Sequence, residues 1–274
     1  MVRALSQVAE WPVGAAAVAV VGPAGVVDAV GPRSERFPLA SVTKLLTAWA
    51  ALLAVDEGAC ALDDPAGPEG STLRHLLAHA SGLPFEGAAP IASPGARRIY
   101  SNIGYELVGA HVEAVTGFAF WEYVREGVCE PIGMRAVQFQ GSPAHGARAT
   151  LDDLVAFAGE CFAPRVLAPS SQHAATSVQF PGLVGVVPGF GRQDPCDWGL
   201  GPELHGTKHP HWMGSRNAAA TFGHFGRSGA FIWVDPVANV ALVGMSDTPF
   251  GEWAVAAWPK LADAVLAELG VPFR

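Results

Sequence analysis

Along the chain the apolar positions first gather into two valine-rich runs, residues 14–21 and 25–30, parted by Gly22-Pro23-Ala24. Short β-favouring runs around a Gly-Pro break predict a β-hairpin. The pattern returns near the other end, where residues 230–235 and 238–245 flank Pro236-Val237-Ala238-Asn239. Between the hairpins the apolar spacing becomes helical, predicting helices over 41–58, 73–79, 103–116, 118–129 and 151–162, with a short one near 171–176. Gly58 and Gly117 suit C-terminal caps, Pro131 and Gly133 follow the fourth helix, and Thr150 with Asp153 reads as a capping box opening the fifth. Residues 1–11 read as a short amphipathic helix, Trp198-Gly199-Leu200-Gly201 as the start of a strand, and residues 253–269 as a closing amphipathic helix.

Hairpins at both ends pair most simply into one antiparallel sheet, with the closing helix on one face and the helix from Ser41 on the other. The expected fold class is α/β in the α+β sense: an antiparallel sheet flanked by helices, plus a mainly helical lobe. Residues 1–274 then form a single domain, its α/β lobe drawn from 1–60 and 197–274 and its helical lobe from 61–196, with a cleft between.

The helix that changes this picture begins Ser41-Val42-Thr43-Lys44 and continues apolar to Val55. Residues three apart on a helix share a face, so the Lys44 ammonium reaches towards the Ser41 hydroxyl. Only three lysines occur (Lys44, Lys208, Lys260), and this one sits in a helix too hydrophobic all round for a surface. Desolvation favours the neutral amine, the form a serine nucleophile needs beside it, and free N–H groups at the helix start suit an oxyanion. Taken alone, the motif fits equally well a serine N-cap followed by a lysine that snorkels to water.

A formal charge of −8 and a pI near 5.5 argue against nucleic acid or an anionic membrane as partner, and no apolar run is long enough to span a bilayer. Cys60, Cys129, Cys161 and Cys196 are too scattered for a metal cluster, so free thiols are expected. With no signal-peptide layout at the N-terminus, the expected location is cytoplasmic. His75 and His79 have the spacing of a zinc pair without a third ligand, and His205, His209 and His211 share a loop lacking Cys, Asp or Glu. The first two read as structural, the other three as lining an active-site rim, and no metal or organic cofactor is expected. Asp63 and Asp64 read as a solvated turn.

Three motifs stand in order, Ser41-x-x-Lys44, Tyr100-Ser101-Asn102 and His224-Phe225-Gly226, joined by a stretch from Thr72 to Pro84 that contains His79-x-Ser81-Gly82-Leu83-Pro84. Together they resemble the serine β-lactamase and penicillin-binding-protein superfamily, most closely its class C-like branch, which carries tyrosine in the second motif. The resemblance runs from about Gly14 to the final helix. It implies that Ser41 is the nucleophile, that Lys44 and Tyr100 move its proton, and that Asn102 orients Lys44 and a substrate carbonyl. It also implies that Gly226 and Arg227 follow the third-motif His224 on the sheet edge, the Arg227 N–H joining that of Ser41 in the oxyanion hole. A nearby ammonium is expected to lower the Tyr100 pKa.

His224 stands where penicillin-recognising relatives carry lysine, which weakens the anchor for a substrate carboxylate unless the Arg227 side chain turns inward. The expected activity is hydrolysis of a small-molecule ester or amide through an acyl-enzyme on Ser41, with β-lactam turnover incidental. The alternatives are an acyltransferase using the same intermediate and a catalytically silent binding protein.

Overall fold

The structure is a computed structural model that describes residues 2–87 and 89–273. Met1, part of the first expected helix, lies outside the described residues; Arg3–Glu10 forms a 3-10 helix. The strands are β1 (Ala16–Gly22), β2 (Gly25–Val30), β3 (Phe37–Pro38), β4 (Gln138–Phe139), β5 (Ala147–Ala149), β6 (Gly185–Val187), β7 (Gly191–Gln193), β8 (Glu203–Leu204), β9 (Phe222–Phe225), β10 (Phe231–Asp235) and β11 (Val240–Ser246). The helices are α1 (Thr43–Asp56), α2 (Leu73–Leu77), α3 (Asn102–Thr116), α4 (Phe120–Tyr123), α5 (Glu130–Ile132), α6 (Leu151–Phe162), α7 (Pro169–Ala175) and α8 (Glu252–Glu268). A π-helical turn, Val124–Cys129, joins α4 to α5, so the fourth expected helix continues past its predicted end.

Both hairpins pair as expected. The main sheet is antiparallel in the order β2-β1-β11-β10-β9-β8, and β1 closes it against β11 with Val20 opposite Leu242. Alternation along the strands divides the core. Val18, Val20, Trp233 and Leu242 pack against α8 and the N-terminal 3-10 helix, whereas Ala19, Val21, Ile232 and Val243 face the helical side. Here the structure corrects an expectation: α6, not α1, lies directly on that second face against β1, β10 and β11. The helix from Ser41 sits behind it, packed on α3 and the π-helical turn.

This position explains the composition of α1, eleven of whose fourteen residues are buried. A helix surrounded by protein is hydrophobic all round, and each polar group in it needs a fixed partner. Three polar side chains on α1 are tied to one segment ahead of and into β5: Thr47 Oγ1 donates to the Pro143 carbonyl (2.6 Å), Lys44 Nζ to the Ala144 carbonyl (3.0 Å), and Thr43 Oγ1 accepts the Ala147 N–H (3.1 Å).

Trp198–Gly201 is not a strand. Gly199 N–H donates to the Pro202 carbonyl, Gly201 has φ +114°, and the stretch turns tightly so that Trp198 pairs in an isolated bridge with Glu203 at the start of β8. A Cβ on Gly199 would lie 1.9 Å from the Ala175 carbonyl oxygen, so contact with α7 sets the turn. Thr150 and Asp153 form the expected capping box, and all four cysteines are free thiols. Among the described residues no helix is long and apolar enough to cross a membrane.

Candidate active site

Ser41 lies in the 3-10 turn Ala40–Val42 that leads into α1, one turn ahead of Lys44. The preceding Ala40 has φ +43°, a left-handed conformation that costs an L-residue energy and is held by the packing around it. Part of that packing is the third motif: a Cβ on Gly226 would meet the Leu39 carbonyl oxygen at 2.2 Å and the Ser41 nitrogen at 3.2 Å. Gly226 therefore lets β9's end press against the serine turn. The Ser41 and Arg227 amides donate to no main-chain carbonyl among the described residues, leaving two free donors where an oxyanion would form.

Lys44 is wholly buried. Its Nζ donates to Asn102 Oδ1 (2.7 Å) and lies 4.7 Å from the centre of the Tyr100 ring. Burial pulls its pKa down to about 7, with the distant Glu106 carboxylate opposing the shift only in part. An amine in this setting exists in both protonation states near neutral pH.

Tyr100 does not behave as expected. The residue is half-exposed, but its hydroxyl is buried without a hydrogen-bond partner, and burial pushes its pKa above the usual phenol value. The Ser41 hydroxyl beside it favours phenolate, yet the loss of water outweighs that help and the charge on Glu203 adds to the rise. Ser101, between Tyr100 and Asn102, is the N-cap of α3: its hydroxyl accepts the Gly104 N–H (2.9 Å) and donates to the Pro84 carbonyl (2.6 Å).

On β9, His224 shares its face with Phe222, which belongs to the core on the helical side, so the imidazole points towards α1. Its Nδ1 lies 2.8 Å from the Phe225 carbonyl and so carries the proton, which leaves Nε2 as an unpaired buried acceptor. Burial, then the charge on Lys44, lowers its pKa to about 4. His224 is neutral and presents a lone pair on Nε2, the opposite of a lysine.

Several neighbours of these residues lie outside the three ordered motifs. His79, in a left-handed conformation (φ +54°), accepts the Ser101 N–H on Nδ1 (3.1 Å), and its ring centre lies 4.4 Å from that of Tyr100. It thus braces the second motif, while His75 completes the cap of α2 with Thr72. Trp198, brought in by the turn before β8, lies 5.9 Å from Tyr100 and 5.8 Å from His224, ring centre to ring centre. Phe85, Val186, Phe250 and Arg192 come from loops and edge strands far apart in sequence. His205, His209 and His211 are not on the Ser41 rim; they line a separate cavity of about 520 Å³.

A family model described as Beta-lactamase matches residues 7–267. The chain belongs to the Beta-lactamase family. A crystal structure of a β-lactamase from Mycobacterium bovis is 51% identical, with a TM-score of 0.95 over 97% of this chain and 99% of that one. Penicillin-binding protein 4* of Bacillus subtilis is 28% identical over 134 residues, 37% of this chain and 30% of that protein. The D-alanyl-D-alanine-carboxypeptidase/endopeptidase AmpH of Escherichia coli is 28% identical over 142 residues, 38% of this chain and 37% of that protein. The chain thus aligns with about a third of the length of these two family relatives. Its antiparallel-sheet fold is the one expected of that family.

Proposed function

We propose that this protein is a serine hydrolase that forms an acyl-enzyme on Ser41 and hydrolyses small ester or amide substrates. The observation that carries the reading is Lys44: a fully buried amine with a pKa of about 7, fixed by Asn102 one helical turn from a half-buried serine. Nothing in core packing calls for an ammonium at that point; activation of a hydroxyl does.

In this mechanism the neutral Lys44 amine accepts the Ser41 proton as Oγ bonds to the substrate carbonyl carbon. The oxygen gains negative charge against the free amides of Ser41 and Arg227. The Tyr100 hydroxyl, kept protonated by burial, gives its proton to the leaving oxygen or nitrogen and regains one from Lys44. Water then attacks the acyl-enzyme by the same route in reverse, releasing the acid and restoring Ser41.

Intact-protein mass after brief exposure to a short-chain activated ester, and separately to a penicillin, tests the reading, with product release followed in the same tubes. An acyl adduct or released product that Ser41→Ala abolishes is the expected outcome. Hydrolysis that survives the substitution, or neither adduct nor product from any ester or β-lactam, overturns it.

A further inference from the structure

The walls of the Ser41 cleft are chemically uneven. Its volume is about 800 Å³, within the range of roughly 300–1,000 Å³ that holds a sizeable small molecule. At the floor stand Ser41, Tyr100, Trp198 and His224; towards the mouth the walls are apolar, and Phe85, Ile91 and Val186 are 50%, 56% and 63% exposed. These are among the most exposed large apolar side chains on the molecule, and all three converge on one opening.

Charge is distributed just as unevenly. The chain carries 25 acidic against 17 basic side chains, yet its cleft is lined by four arginines and one acid. The acid, Glu203, is buried and already paired with Lys208 and His211. Arg98 is equally committed, donating to the carbonyls of Ala78, Gln179, Phe180 and Cys196 and so tying the cleft walls together. Arg97, Arg192 and Arg227 remain exposed at the opening. Arg192 has one partner, Asp194 at 2.9 Å, in an exposed pair that water and salt screen. The third motif contributes Phe225 and, as its polar side chain, the neutral, acceptor-bearing His224, which disfavours an anion beside the scissile bond.

We infer that the substrate is an amphiphilic anion: an ester with an apolar chain running from the scissile carbonyl at Ser41 along Phe85, Ile91 and Val186 to a carboxylate or phosphate at the mouth, held by Arg97 and Arg192. This inference rests on the hydrolase reading for its chemistry but on the cleft walls for its specificity.

The test compares 4-nitrophenyl octanoate with the mono-4-nitrophenyl ester of octanedioic acid and the 4-nitrophenyl ester of 8-phosphonooctanoic acid. The chain and chromophore are shared, and the two anions separate carboxylate from phosphate recognition. The expected kcat/KM for the better anionic ester exceeds that of the neutral one by about tenfold, the effect of two screened ion pairs acting together. That ratio falls towards one in the double variant Arg97→Gln/Arg192→Gln, and in the unaltered protein it falls as salt rises. Equal rates for neutral and anionic esters, or a ratio indifferent to both the substitutions and salt, overturns the inference while leaving the hydrolase reading in place. Binding of decyl phosphate, decanoate and decanol to the Ser41→Ala protein, read from tryptophan fluorescence, separates the two the other way. Preference for an anion there, lost in the added arginine variants, sustains the inference without turnover, and its absence counts against it.

Discussion

Lys44 and Lys208 are both withdrawn from water, and the difference between them is the partner each is given. Lys208 Nζ donates to the Asp197 carbonyl (2.7 Å) and the Leu204 carbonyl, and it lies 3.5 Å from a Glu203 oxygen. Glu203 also receives His211 Nε2 at 3.0 Å and Trp212 Nε1 at 2.8 Å. Burial alone would raise that carboxyl, but Lys208 and His211 bring it down to about 2, so it stays ionised across the physiological range. Lys44 is given an amide oxygen and a backbone carbonyl instead, with no carboxylate paired to it among the described residues. A buried ammonium set against a carboxylate forms a structural ion pair, whereas one beside neutral acceptors, such as Lys44, sits near its titration point and becomes available for proton transfer.

The comparison breaks first at Lys44 itself. Lys44→Met is expected to lower kcat for an activated ester on the order of a thousandfold, within the span lost with a general base. Denaturant unfolding at pH 7 should show no loss of stability, because the substitution removes a desolvated amine rather than a paired charge. A variant that keeps its activity, or that unfolds readily, puts Lys44 in the same class as Lys208.

Glu203→Gln is the matching change on the other side. Removing one partner strands Lys208 as an uncompensated buried charge, and the expected cost is about 3–5 kcal/mol by urea titration. If Glu203→Gln is instead as mild as a surface change, the contrast between the two lysines fails.

Titration sharpens the difference. The Lys44 pKa of about 7 lies below its unfolded value of 10.5, so between those limits the unfolded chain binds the additional proton. Its contribution to stability therefore increases as pH rises through that window, and the thermal advantage of Lys44→Met over the parent shrinks from pH 6.5 to pH 9. Over the same range kcat/KM is expected to climb through an apparent pKa near 7, as the amine becomes neutral. A flat rate profile from pH 6 to pH 8 would detach the low pKa from the chemistry.

Lys260 supplies the smallest effect. It is exposed on α8, and Lys260→Ala is expected to change stability by no more than about 0.5 kcal/mol and leave the rate alone. A larger change in the unfolding midpoint would mean that exposure does not separate the third lysine from the other two.

Much of this protein is readable without coordinates because the relevant signals are local. The hairpin over 236–239 closes where expected, with Asp235 Oδ1 accepting the Val237 and Ala238 N–H groups across the turn. The capping box at Thr150 opens α6 and Gly117 closes α3, each by contacts within a few residues. Ser41 and Lys44 share a helical face through 3.6-residue periodicity, and an all-apolar helix cannot lie on a surface. These facts, with the order of the three motifs, determine the fold family and the expected residues of its site.

What was not readable depends on residues distant in sequence. Trp198–Gly201 has strand-like composition, but contact with Ala175 in α7 makes it a turn, and that turn delivers Trp198 to the cleft. The helix from Ser41 was expected to cover the inner face of the sheet, but packing puts α6 against β1, β10 and β11, while α1 packs on α3 and the π-helical turn. Burial by the packed structure raises Tyr100 above the usual phenol value and, with the charge on Lys44, brings His224 to about 4. Desolvation is a property of everything within several ångströms, contributed by segments anywhere in the chain. The sequence by itself determined which groups were present and which lay on one helical turn; the tertiary structure decided their protonation, and gathered apolar walls and arginines into one opening.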